Sequence, residues 1–309
     1  MREIRQAFKF RLRPTKAQQK FLIQWMNTTR YIYNACLEHR KLCYNNFQKT
    51  ISYYDQQNEL PAIKKEEEFL WMNEVPSQTL QMAIRQVDIA YKNFFNGTAE
   101  YPTIKKKHKT TDSISFPEGK SIKIKKEIKK KATVLGIPKI KKGLKIVYHR
   151  EIQGKIKQYT ISHKSGEWYI SFSCIVQRQD KPTPNIPIGI DLGIVKTIAL
   201  SDKSEKNINI SLIKQIEKKI EKIQQKKSKV QEFSDRWKYY NKIEQKLHKK
   251  IVRIRQDFIH KLTTNLSKNH AIICMEDLKI KKMSDSKKGT INNPGKNVKQ
   301  KSKLNRSIL

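Results

Sequence analysis

Ile188-Gly-Ile-Asp-Leu-Gly-Ile194 places one carboxylate, Asp191, inside an otherwise apolar run with glycine on either side. The run reads as a buried-type strand, and an acid in such a strand is costly unless it is paired or bound to a metal. Gly189 and Gly193 leave room for another backbone or a phosphodiester to approach. A second strongly apolar strand, Ala271-Ile-Ile-Cys-Met275, ends at Glu276, 85 positions after Asp191. Two carboxylates at neighbouring strand ends suit a divalent-metal phosphodiesterase, in which oxygen ligands hold Mg²⁺ ions that activate water and stabilise the leaving oxygen. A plainer reading stands beside this one, with Asp191 pairing a lysine or capping a turn, because G-x-D-x-G alone is a short pattern. Asp277 reads as a turn residue. The four cysteines, Cys36, Cys43, Cys174 and Cys274, form no C-x-x-C pair and read as small apolar fillers.

Working outward, Lys181-Pro-Thr-Pro-Asn-Ile-Pro187 carries three prolines in seven positions, which forbids a helix and marks a linker at 181–187. After the Asp191 strand, Thr197–Leu200 reads as its hairpin partner. Ile213, Ile216, Ile220 and Ile223 form one helical stripe, and Trp237, Tyr240, Ile243, Leu247, Ile251, Ile254, Phe258, Leu262 and Leu266 a second. A break at 232–236 predicts a helical hairpin over about 205–268; a coiled-coil dimer is the competing arrangement. The 188–280 segment is therefore a mixed α/β domain, and 281–309, lacking apolar periodicity, is expected to be a basic flexible tail. On the N-terminal side, Ile4, Phe8, Phe10 and Leu12 alternate as a strand within 1–15. Thr15 with Gln18 forms a capping box that starts a helix at Lys16. Residues 16–100 read as a helical lobe, with Phe21, Leu22, Trp25, Ile32, Ala35 and Cys36 near one face, a short helix bracketed by Pro61 and Pro76, and a further helix capped by Ser77. Residues 101–180 change to short alternating strands, a small β-barrel or sandwich completed by the first strand.

The chain has 309 residues, 66 Lys+Arg against 28 Asp+Glu, and a net charge of +38. Residues 1–50 carry net +9, 118–150 net +10 and 277–309 net +8, so the charge is spread over the whole length rather than held in one arm. That distribution fits a polyanion partner, since each neutralised phosphate releases a counterion; a lysine-solvated surface is the alternative. No apolar run approaches the roughly 20 residues of a membrane span, and the N-terminus lacks the apolar core of a signal peptide. A cytoplasmic, reducing compartment and no membrane partner are expected.

Several stretches together resemble the TnpB (OrfB) family of transposon-encoded RNA-guided DNA nucleases, related to type V CRISPR effectors. They include Phe8-Lys-Phe-Arg-Leu-Arg-Pro-Thr-Lys16, Arg30-Tyr-Ile-Tyr-Asn34, Gly166-Glu-Trp-Tyr-Ile-Ser-Phe172, Gly189-Ile-Asp-Leu-Gly193, Arg255-Gln-Asp-Phe258 and Met275-Glu-Asp-Leu278. The resemblance implies an α+β multidomain fold: an N-terminal β-barrel with an inserted helical recognition lobe, then an RNase H-like, RuvC-type nuclease domain. It implies Asp191 and Glu276 as catalytic Mg²⁺ ligands, and guide RNA and DNA as partners. Arg11, Arg13, Arg30 and Asn34 become candidates for nucleic-acid contact. The family continues past a motif similar to Lys303-Leu-Asn-Arg-Ser-Ile-Leu309 into a zinc ribbon with two C-x-x-C pairs and a third catalytic Asp. The 309 residues hold neither, so the expectation is a truncated member with an incomplete Mg²⁺ site and no zinc. A nuclease-dead RNA-guided DNA binder and an inactive gene remnant are the alternatives to an enzyme.

Overall fold

The computed structural model describes residues 2–107, 112–127, 132–164, 166–178, 184, 186–193, 197–290 and 293–308. The chain divides into two compact units, Met1–Asp180 and Lys181–Leu309. Most of the proline-rich stretch expected as a linker, with Ser165 and Ile194, lies outside the described residues.

The first unit opens with β1 (Arg2–Leu12), whose Phe8, Phe10 and Leu12 are buried while Lys9 and Arg11 are exposed. Alternation of this kind puts one face of a strand in the core and the other in water. Thr15 and Gln18 form the expected capping box, and α1 (Lys16–Phe47) runs 32 residues. Its buried stripe is Leu22, Trp25, Met26, Ile32, Tyr33 and Leu37; Phe21, expected inward, is 55% exposed. Where one short helix is expected between Pro61 and Pro76, α2 (Tyr53–Ile63) contains Pro61 near its end, and Phe69 and Leu70 lie in a separate 3-10 helix, Glu67–Glu74. α3 (Ser77–Phe95) follows; its cap position is Pro76, and Ser77 is the first helical residue, its hydroxyl accepting from Lys64 Nζ.

Then come β2 (Asp112–Phe116), β3 (Lys123–Glu127), β4 (Ala132–Gly136), β5 (Leu144–Val147), β6 (Lys155–Lys164) and β7 (Glu167–Arg178). They pair antiparallel with β1 in a seven-stranded sheet of order β2-β6-β7-β1-β5-β4-β3. β1 pairs β7 along its whole length but meets β5 only at Arg11 and Leu12, which staggers the sheet. Among the described residues β2 and β3 do not pair, and the staggered sheet is a curled half-barrel, which fits the small barrel or sandwich expected of this segment. Helices cover its apolar face: Leu22, Trp25 and Met26 of α1 and Leu80, Ala83 and Ile84 of α3 share one core with Phe10, Phe116, Tyr159, Ile170 and Phe172 of the strands. Gly154, with φ +75°, has no room for a Cβ, which would stand 2.0 Å from the Ile175 carbonyl oxygen.

The second unit contains β8 (Pro187–Leu192), β9 (Ile198–Leu200), β10 (Glu205–Lys206), α4 (Ile210–Ser228), α5 (Asp235–Asn269), β11 (Ile272–Met275), α6 (Ile280–Met283) and α7 (Val298–Ile308). The four strands form a sheet of order β10-β9-β8-β11. β8 and β9 make the expected antiparallel hairpin, and β11 runs parallel to β8. Ser234 caps α5 at the expected break, and α4 packs on α5 within the chain through Ile213, Ile216, Ile220 and Ile251. Glu244 is 8% exposed between them and takes hydrogen bonds from Lys227 and Gln224. The segment expected as an elementless tail forms α6 and α7. Polar tethers replace an apolar core there: Lys301 Nζ donates to the Met283 carbonyl and Asn305 Nδ2 to the Ser284 carbonyl.

Candidate metal centre and nucleic-acid interface

In the second unit the register decides the site. Gly189 pairs with Cys274 and Ile190 with Met275 across the parallel β8–β11 ladder. Asp191 and Glu276 therefore stand side by side, each one residue beyond the last paired position. Side chains alternate along a strand, so Gly189, Asp191, Cys274 and Glu276 share one face. On the opposite face Ile188 and Ile190 pack with Ile198, Leu200, Phe258, Leu262 and Leu266, which seats the sheet on α5. Asp191 and Glu276 line one cleft of about 440 Å³ together with Ala199 and Ser201. The expected buried carboxylate is instead exposed, as is Cys274, expected as a small apolar filler. The cause is that α5 covers only one face, while the small residues Gly189, Ala199 and Cys274 keep the carboxylate face open. Desolvation is therefore not the force that would make Asp191 seek a cation; the second carboxylate beside it is.

Ser201 is a member of this site that sequence reasoning missed. Its Oγ accepts the Gly189 N–H at 3.0 Å, and its own N–H donates to the Gly189 carbonyl at 3.0 Å. This reciprocal clamp ties β8, two residues before Asp191, to the turn after β9. Gly189 bears on it: a Cβ there would stand 3.4 Å from the Ser201 Cβ. No sequence pattern announces the clamp, because it depends on a hairpin register.

The two carboxylates supply hard oxygen donors, the kind that suit Mg²⁺, a cation that keeps several waters and takes one or two protein carboxylates. Neither carboxylate has a hydrogen-bond or ion-pair partner among the described residues, so the lysine-paired alternative for Asp191 has no support there. Among those residues no cluster of three or more His, Cys, Asp or Glu side chains assembles. The donor set thus fits Mg²⁺ in kind, with two ligands from the protein.

In the first unit, the solvent face of β1 carries Arg5, Lys9 and Arg11, opposite Phe8, Phe10 and Leu12, and Arg13 follows just past its end. Lys9 lies 4.6 Å over the Tyr169 ring, and Arg11 pairs with Glu167 at 2.9 Å. Arg13 is exposed beside them. Arg30 and Asn34 lie one helical turn apart on α1 and do different things. Asn34 Nδ2 donates to the Lys105 carbonyl at 3.1 Å and Oδ1 accepts the Lys105 N–H at 2.9 Å, so both ends of its amide hold a backbone 71 residues away. Arg30 Nη1 donates to Asn27 Oδ1 at 3.2 Å and lines a cleft shared with Lys105. Burial first, then the nearby Arg30 charge, lowers the Lys105 pKa to about 8.

Residues 162–287 match the OrfB (IS605) family, described as "Probable transposase", and residues 1–49 match its helix-turn-helix domain. Over the latter stretch the structure has one strand and one long helix, so that domain's name does not describe the local fold. An Escherichia coli K12 protein named "Putative RNA-guided DNA endonuclease InsQ" is 35% identical over 308 residues, covering 98% of this chain and 74% of its own. The chain belongs to the TnpB family. A Streptomyces pristinaespiralis protein named "Putative RNA-guided DNA endonuclease" is 27% identical, covering 92% of this chain and 69% of its own. Among solved structures, a Cas12f1–sgRNA–target DNA complex aligns over 99% of this chain and 83% of its own at 15% identity; its TM-score of 0.32 establishes no shared fold. Among the described residues no helix is long and apolar enough to cross a membrane.

Proposed function

We propose that this TnpB-family chain is an RNA-guided DNA-binding protein whose second unit hydrolyses DNA phosphodiesters at Asp191 and Glu276. The observation that supports it is the β8–β11 register, which sets two carboxylates from positions 85 apart on one open cleft. Asp191 and Glu276 would hold Mg²⁺, which when bound supplies an activated water and charge stabilisation at the leaving oxygen. The chain's own residues do the rest. Gly189, Ala199 and Cys274 leave the cleft open to a phosphodiester, and the Ser201–Gly189 clamp fixes the backbone that carries Asp191. Packing of Ile188 and Ile190 on α5 holds the sheet rigid behind the carboxylates. Two protein ligands leave most of the cation's coordination to water and substrate oxygens. The basic ladder on β1 and the Arg30–Lys105 cleft contribute phosphate contacts for the guide RNA or the DNA.

The test uses the full chain purified with its own guide RNA and a guide-matched plasmid in Mg²⁺. The expected result is guide-dependent cleavage that Asp191→Ala or Glu276→Ala lowers by roughly 10³-fold or more, because catalytic sets act as a unit, with plasmid binding retained. Cleavage unchanged in Asp191→Ala would sink the site assignment. Guide-dependent binding without cleavage by the parent chain would favour the nuclease-dead binder. Absence of any guide-dependent association would sink the function.

A further inference from the structure

Four aromatic rings, Tyr91, Phe94 and Phe95 at the end of α3 and Tyr101 just after it, pack on one another in the first unit. Tyr91 lies nearly parallel to Phe95, with centroids 6.2 Å apart and planes at 21°. Tyr101 stands edge-on to both Tyr91 and Phe94, at 5.8 and 5.2 Å, and its hydroxyl meets the Tyr91 hydroxyl at 3.3 Å. A core cluster would be closed over, and this one is not: Phe95 is 77% and Tyr101 45% exposed. One exposed apolar side chain is ordinary, whereas contiguous exposed rings mark a surface that meets a partner. From α1, the buried Arg40 guanidinium lies 5.9 Å from the Tyr91 ring centroid and is itself held by Gln56 at 2.9 Å and Asp88 at 3.5 Å. Lys41 Nζ sits 5.0 Å over the Tyr101 ring. The rings are thus held in place by buried contacts and flanked by a cation.

We propose that this ledge is a stacking platform for an unpaired base of a nucleic-acid strand, with Phe95 and Tyr101 presenting the rings and Lys41 the flanking cation. The proposal rests on the nucleic-acid reading above. It goes beyond that reading in naming a contact to base rather than to phosphate, at residues apart from the β1 face and the Arg30–Lys105 cleft. Charge favours this occupant over an apolar protein surface. Residues 38–49 and 88–107, which carry the ledge and its surround, hold seven Lys+Arg against three Asp+Glu. One of those acids, Asp88, is already shared by Arg40 and Lys92. Such a surround attracts a polyanion, and the bases of a polyanionic single strand offer flat π faces to the rings. A duplex keeps its bases stacked on one another, so the platform selects unpaired strand. Rings fixed before binding lose little freedom when a base lands on them.

The experiment measures full-length protein binding to two probes, a 20-nucleotide unstructured RNA and a 20-base-pair DNA duplex, across a salt series. Phe95→Leu keeps apolar bulk at an exposed position and removes the π face; Phe95→Trp keeps a π face. Phe95→Leu should bind the RNA roughly 5- to 100-fold more weakly, the range that loss of one stacked base spans. Its log–log salt slope should stay at the parent value, because stacking releases no counterion. Its duplex affinity should stay within about twofold of the parent. Phe95→Trp should retain the parent's RNA affinity and show more fluorescence quenching on RNA binding than the parent does. RNA affinity unchanged in Phe95→Leu, or an equal loss on RNA and duplex, would overturn the proposal. A slope lowered by about 0.7 would make the contact a phosphate contact and overturn it too. Self-association of the parent that Phe95→Leu abolishes would make the ledge an interface between copies instead. Failure of the parent chain to bind the RNA at all would overturn the nucleic-acid reading itself. Circular dichroism checks that Phe95→Leu is folded, and Tyr101→Leu, read in the same way, serves if it is not.

Discussion

Asn34→Ala separates a clamp from a contact. Asn34 is on α1 within a stretch that resembles a family motif, and nucleic-acid contact is one expectation for it. Its amide instead spends both polar ends on the Lys105 backbone, at 2.9 and 3.1 Å. Truncation to alanine deletes two hydrogen bonds, each with a net worth of about 1 kcal/mol. It also leaves the Lys105 N–H and C=O without those partners, which raises the loss to about 2–3 kcal/mol. Alanine is the better helix former inside α1 by about 0.5 kcal/mol, which offsets part of this. The net loss of about 1.5–2.5 kcal/mol corresponds to a fall in Tm of roughly 3–10 °C for a unit of this size. Thermal unfolding followed by far-ultraviolet circular dichroism reads it directly. Asn34→Asp, which retains the acceptor and lacks the donor, should fall between parent and alanine. RNA affinity measured well below the melting range should change little, since both polar ends of the Asn34 amide are already engaged with the Lys105 backbone. A Tm within 1 °C of the parent together with a collapse in affinity would refute the clamp and make Asn34 a direct contact.

Three other outcomes follow from named contacts. Lys105 has a folded-state pKa of about 8, below its ordinary 10.5, so between those values the unfolded chain binds more protons and stability rises with pH; urea midpoints should climb from pH 8 to 9.5 in the parent relative to Lys105→Gln, and parallel curves would contradict the burial of its ammonium. Burial pushes the Glu244 carboxyl up, but hydrogen bonds from Lys227 and Gln224 outweigh it and hold the pKa below 4.5. Its contribution is therefore present above the unfolded carboxylate range and fades as pH falls through the lower folded value, so Glu244→Gln should flatten the acid limb of the unfolding profile, and an unaltered limb would rule that out. Arg11→Glu with Arg13→Glu should weaken RNA or duplex binding and reduce the salt slope by about two phosphates, with less than about 1 kcal/mol of stability lost because the Arg11–Glu167 pair is partly exposed; unchanged affinity at physiological salt would remove the β1 face from the interface.

The parts of the fold legible in the sequence are those that local chemistry dictates. Alternation at Phe8, Phe10 and Leu12 marks β1, the Thr15–Gln18 box marks the start of α1, and the isoleucine stripe marks α4, because period and capping act within a few residues. Ser77, expected as a cap, is the first helical residue, and Pro76 stands at the cap position. What covers the half-barrel is a non-local matter: α1 and α3 lie on its apolar face through packing between segments tens of residues apart. The α6–α7 segment is not legible in the sequence because its order comes from side chains of Lys301 and Asn305 reaching carbonyls about 20 residues back, which leaves no hydrophobic period to detect.

The site divides in the same way. The sequence by itself determined that Asp191, inside one apolar strand, and Glu276, at the end of another, are unusual acids, that the chain carries +38 spread over its length, and which family it resembles. Only the tertiary structure decided that the two acids share one open face. That follows from a parallel register between strands 85 positions apart and from α5 covering the opposite side. Tertiary structure alone also joined Asn34 to Lys105 and seated Lys105 beside Arg30. Periodicity and composition are properties of neighbouring residues along a chain. The pairing of charges, the shielding of a lysine and the opening of a cleft are properties of distance in space, which the fold sets by packing apolar side chains that carry no charge themselves.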